Sequence, residues 1–161
     1  MKHVLKQLFS FSTRNKSIDS QRCIRRLIDL TIPNNGARRS TKRFEDRHNR
    51  SIPALLCPWK DGEPIVSEAV FVMSKDFADR GIGLILNHPF IATDVVVGFS
   101  LQGITQNELP CFFLCKQRSN VAIGGGFWLL GVEVEEFVSL SYHDELKPLI
   151  SMARKLLPSS C

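Results

Sequence analysis

From Ile52 onward the chain is a succession of short apolar runs, each closed by turn-forming residues. The runs are Ile52 to Trp59, Ile65 to Ser74, Gly81 to Leu86, Val95 to Leu101, Leu109 to Arg118 and Phe127 to Val138. Lys60-Asp61-Gly62-Glu63-Pro64 ends the first, Asn87-His88-Pro89 ends the third, and Gly124-Gly125-Gly126 makes a hairpin before the last. Six predicted strands at this spacing point to a small antiparallel β-barrel. After Ser141, Glu145 to Leu157 reads as a closing amphipathic helix with Pro148 in its first turn.

The residues ahead of the barrel follow a different period. Val4, Leu5, Leu8 and Phe9 form one helical stripe within 3–9, and Ile18, Ile24, Leu27, Ile28 and Leu30 form another within 18–30. Asp19 or Ser20 is placed to cap the second helix, and Ile32-Pro33-Asn34-Asn35-Gly36 to stop it. Residues 37–50 are almost wholly polar. The organisation expected is therefore a helical extension over 1–36, a basic arm over 37–50, a barrel over 51–140, and a C-terminal helix and tail over 141–161.

Charge divides along the same line. Residues 1–50 carry 13 Lys and Arg against four Asp and Glu, whereas residues 51–161 carry eight against 12. A basic leader on a mildly acidic body calls for an anionic partner held by the leader; a solvated basic arm is the plainer reading. No apolar run is long enough to span a bilayer, and the N-terminus lacks the long apolar stretch and cleavage site of a signal peptide. Cys23, Cys57, Cys111, Cys115 and Cys161 are scattered, odd in number and without a CxxC. Reduced thiols in a cytoplasmic protein are expected.

Chemistry beyond binding finds little support. His3, His48, His88 and His143 do not cluster with acids or cysteines at metal spacing. The glycine triplet is not followed by the Lys-Ser/Thr of a P-loop, and neither GxSxG nor HExxH occurs. No catalytic residue, metal or cofactor is assigned. Trp59 and Trp128 are expected in the core, with stacking on a base as the alternative.

Two segments suit a guanine nucleotide. Arg38-Arg39-Ser40-Thr41-Lys42-Arg43 places guanidinium forks on the arm, and these match phosphate oxygens and the O6/N7 edge of guanine. Asp76-Phe77-Ala78-Asp79-Arg80-Gly81 places a carboxylate, a small residue and a glycine at a bend between strands. In this order they resemble the signature of the PilZ domain, a bacterial receptor module for cyclic di-GMP, whose pattern is RxxxR or RRxxxR followed by [D/N]xSxxG. The resemblance covers roughly residues 38–140, including Gly81-Ile82-Gly83-Leu84 and Phe127-Trp128-Leu129-Leu130-Gly131-Val132.

The resemblance implies a six-stranded barrel with a C-terminal helix and a site made of Arg38, Arg39, Arg43, Asp76, Ala78 and Gly81. Arg39 and Arg43 would meet guanine edges and phosphates, with Arg38 adding a cation. Asp76 would accept from guanine N–H groups, and Gly81 would permit the close turn. Ala78 stands where the family has serine, and Arg43-Phe44-Glu45-Asp46-Arg47 also spells RxxxR. The implied role is a cytoplasmic receptor or adaptor acting through a protein partner in motility, exopolysaccharide production or biofilm formation. The alternatives are a PilZ-like interaction module that binds no nucleotide and, with less support from the acidic barrel half, a nucleic-acid-binding barrel.

Overall fold

The protein is described by a computed structural model that covers residues 19–31, 46–100, 110–138 and 144–156. It is mainly β. Strands β1 (His48–Asn49), β2 (Pro53–Lys60), β3 (Glu63–Pro64), β4 (Val70–Phe77), β5 (Gly81–Leu86), β6 (Asp94–Phe99), β7 (Cys111–Gly124) and β8 (Phe127–Val138) form one antiparallel sheet. Their order is β1-β4-β5-β8-β7-β6-β2-β3, and β4 also pairs with β2. That pairing closes six strands into the barrel expected from the sequence, with β1 and β3 as short additions.

Alternation along the strands builds two cores. Ala54, Leu56, Val72, Ile82, Leu84, Val95, Val97, Leu130 and Val132 fill the interior. Leu55, Cys57, Val96 and Phe112 face outward and are covered by Leu146, Leu149 and Ala153 at helix α2 (Lys147–Arg154). β2 is apolar at nearly every position because both its faces are covered. Pro148 sits in the first turn of α2, where its missing N–H costs nothing.

Helix α1 (19–29) contributes Cys23, Ile24, Leu27 and Ile28 to the interior core. It joins a run of rings, Phe77–Phe99–Phe113–Phe137, with centroids 5.6, 6.2 and 5.7 Å apart. The last carbonyls of α1 find donors: Thr31 Oγ1 donates to Leu27 O at 2.6 Å, and Arg50 Nε to Ile28 O at 3.2 Å. Asp19 and Ser20 lie within the helix. The predicted helix at 3–9 lies outside the described residues.

Two strand bounds depart clearly from the expectation. Ile65 and Val66 are not strand; Val66–Glu68 is a 3-10 turn between β3 and β4. β7 runs six residues beyond Arg118, because β8 offers it partners as far as Phe127. Gly125 and Gly126 close that hairpin with φ of +64° and +78°, the left-handed pair that a two-residue turn needs. Among the described residues no helix is long and apolar enough to cross a membrane, which says nothing of strands.

Candidate functional site

Asp76 is not at a bend. It lies inside β4, paired with Gly83 of β5 on one side and Asn49 of β1 on the other. Val72 and Ser74 precede it with side chains buried inside, so strict alternation would send Asp76 inward as well. A β-bulge between Ser74 and Asp76 adds Lys75 and turns the carboxylate to the outer face, while Phe77 returns to the core. Ser74 supports the bulge: its hydroxyl donates to Arg50 O at 2.6 Å and accepts from Ile52 N–H at 2.8 Å.

The carboxylate is 3% exposed and its partners are close. Arg47 Nη1 donates to Asp76 Oδ1 at 2.7 Å, and Lys75 Nζ stands 3.5 Å from Oδ2. A buried charge is tolerable on such terms, paired and hydrogen-bonded. Arg47 also reaches within 4.0 Å of where a Cβ on Gly81 would sit. Asp76, Gly81 and Arg47 are thus brought together.

Glycine is demanded by sterics at Gly83 rather than at Gly81. A Cβ on Gly81 would meet only ordinary contacts, the nearest at 3.7 Å. A Cβ on Gly83 would lie 2.5 Å from Asp76 Oδ1, so the carboxylate occupies the space a side chain would need. Ala78 is buried, and its N–H donates to Gly81 O at 2.8 Å to close the β4–β5 turn. Arg38, Arg39 and Arg43 lie outside the described residues. Within the described part of the arm, Arg47 holds Asp76 and Arg50 holds the end of α1.

The same outer face continues across β8 and β7. Gly83 pairs with Gly131, and Gly131 pairs with Ser119. Arg80 and Arg118 flank this row and share one carboxylate: Arg118 Nε donates to Glu133 Oε2 at 2.6 Å, and Arg80 Nη2 is 3.8 Å from Glu133 Oε1. In the ion pairs of this face Arg47, Lys75, Arg80, Lys116 and Arg118 meet Asp76, Glu133 and Glu135, so cations outnumber carboxylates and the balance favours an anion. The sequence marks Gly83 and Gly131 only as strand residues of the resemblance and does not single out Ser119. The available signal was a glycine inside an apolar strand, which marks close approach of another group.

A cleft of about 610 Å³ opens at the far end of β2. Its ionisable lining is Lys60 against Asp61, Glu68, Asp94 and Glu135, with Cys115 beside them. That charge is wrong for a phosphodiester, and the cleft lies at a different place on the barrel from Asp76. Trp59 lines this cleft and also packs against the α2 core. Among the described residues no three His, Cys, Asp or Glu side chains gather as a metal site.

No protein-family model matches the chain, and no curated protein does. Among solved structures it is similar to the Bacillus subtilis inhibitor of motility (MotI/DgrA), at 12% identity and a TM-score of 0.43. The alignment covers 77% of this chain and 55% of that one, so the chain spans about half the length of that protein. At such distance the likeness carries no conclusion about ligand or partner.

Proposed function

We propose that the protein is a PilZ-like receptor for cyclic di-GMP that passes the signal to a protein partner. The observation that carries this reading is Asp76, a carboxylate turned to the outer face by a bulge, seated over Gly83 and gripped by Arg47 of the basic segment. The aspartate of the resemblance is therefore in direct contact with Arg47, the last arginine of the alternative RxxxR frame Arg43–Arg47, and not with one of the arginines first assigned to the site. A carboxylate in this place suits guanine N1–H and N2–H, and the surrounding cations suit the phosphodiesters.

Binding is an exchange on this reading. Guanine donors replace Arg47 at Asp76, and Arg47 turns to a phosphate. Arg47 is one residue ahead of β1, and Arg50, three residues further, holds the C-terminal end of α1. A shift at Arg47 therefore reaches α1 through four residues of chain, changing the surface offered to a partner. Arg38, Arg39 and Arg43 would close over the ligand from the arm. Motility, exopolysaccharide production or biofilm formation are the processes the resemblance suggests, in a cytoplasmic setting. No step needs a nucleophile or base, so the reading is of a binding protein and not an enzyme.

One observation favours a second reading. Asp76 is already satisfied by Arg47 and Lys75, as in an interaction module that has no use for nucleotide. Calorimetric titration of cyclic di-GMP into the purified protein separates the two. Micromolar or tighter binding that is lost in Asp76→Ala and in Arg39→Ala/Arg43→Ala supports the receptor. No heat from a folded wild type leaves the module.

A further inference from the structure

The register aligns four residues across the outer face of four adjacent strands: Asp76 with Gly83, Gly83 with Gly131, and Gly131 with Ser119. The middle two have no side chains, and the outer two fill the space above them. The Asp76 carboxylate lies over Gly83, and the Ser119 hydroxyl sits where a Cβ on Gly131 would go. The two polar groups therefore lean toward each other over neighbouring strands, which lie roughly 4.8 Å apart.

Both reach this position by the same device. A bulge at Lys75 precedes Asp76, and a bulge between Gln117 and Ser119 precedes Ser119. Each bulge leaves an extra cationic residue, Lys75 and Arg118, beside the polar one. The lane so formed has a backbone floor, an acceptor at one side, a hydroxyl at the other and cations along its rim.

We propose that Ser119 is a ligand-reading residue of the nucleotide site. Resting on the receptor reading above, the lane takes the edge of one guanine. Asp76 accepts from the ring N–H and the amino group, Ser119 donates its hydroxyl to the O6 carbonyl, and Arg118 faces a phosphate. The amino group, ring N–H and carbonyl of guanine stand in a row along one edge, which suits an acceptor and a donor on adjacent strands. A hydroxyl absent from position 78 is thus supplied from β7. Asp76 rejects adenine, whose ring nitrogen on that edge is an acceptor, while Ser119 adds affinity.

The test is a set of cyclic di-GMP titrations with Ser119→Ala, Ser119→Thr, Gly131→Ala and Asp76→Ala, each checked for a wild-type thermal transition. Ser119→Ala is expected to bind about 2- to 12-fold more weakly, the worth of one neutral hydrogen bond. Ser119→Thr keeps the hydroxyl and is expected to bind as the wild type. Gly131→Ala displaces the hydroxyl and roofs the lane, and is expected to weaken binding at least as much as Ser119→Ala. Wild-type affinity in Ser119→Ala, whatever Gly131→Ala does, with binding lost in Asp76→Ala, would overturn the role of Ser119 and leave the receptor standing. A folded wild type that takes up no cyclic di-GMP overturns both.

Discussion

The carboxylate of Asp76 fills the space that a Cβ on Gly83 would occupy, so site and packing constrain each other at one contact. Gly83→Ala is expected to destabilise the protein by about 1–3 kcal/mol, the usual cost of overpacking a closed position. Asp76→Ala removes the obstruction. The double variant Gly83→Ala/Asp76→Ala should therefore lose less stability than the two single losses combined, a coupling that urea denaturation of all four proteins measures. Ser74→Ala has a different signature. Its hydroxyl serves Arg50 O and Ile52 N–H in a buried setting. Losing both bonds should cost about 1–3 kcal/mol in the same assay. Because Ser74 holds the bulge that aims Asp76, the variant should also bind cyclic di-GMP more weakly.

Elements with a covered face were the most legible in the sequence. Gly81–Leu86 and Phe127–Val138 are strands over the very residues their apolar runs marked. The helix at 19–29 falls within the stripe that Ile24, Leu27 and Ile28 defined. What could not be read was register. Whether Asp76 faces in or out depends on a bulge that only the pairing with β5 reveals. The same holds for Ser119, whose neighbour across the sheet is a glycine twelve residues away only by virtue of the β7–β8 hairpin. Arg47 lay within a second RxxxR, but nothing in the spacing said which arginine meets the aspartate. At this scale α1 is open to a direct test, since Leu27 is fully buried in the barrel core. Leu27→Ala should cost about 2–5 kcal/mol in chemical denaturation, as a large-to-small change in a closed core does. A loss below about 0.5 kcal/mol would mean that α1 rests on the barrel without completing it.

Across the whole molecule, burial also decides how stability responds to alkali. Burial, with Glu68 adding to it, pushes the Cys57 thiol up to about 11. A hydrogen bond that its S–H donates to Cys23, with burial, holds Cys111 well above its ordinary value, and burial, with Glu135 adding to it, raises Cys115 as well. A thiol raised in the folded state keeps its proton after the unfolded chain has lost its own, so rising pH favours unfolding. The contribution is intact below about pH 8.5, where unfolded thiols ionise, and is lost as pH climbs toward the folded values. Stability is therefore expected to fall above about pH 9, with a shallower slope in Cys57→Ala over the window ending at about 11.

The barrel separates an anion-suited outer lane at Asp76, Gly83, Gly131 and Ser119 from an acidic cleft at Trp59 and Asp94. Amide-resolved NMR of the wild type during addition of cyclic di-GMP tests that assignment most directly. The expected result is movement concentrated at the amides of Gly81, Gly83, Ser119 and Gly131, with Gly62 and Asp94 unchanged. Movement confined to Gly62, Asp94 and the Trp59 indole, or none at saturating ligand, would contradict it.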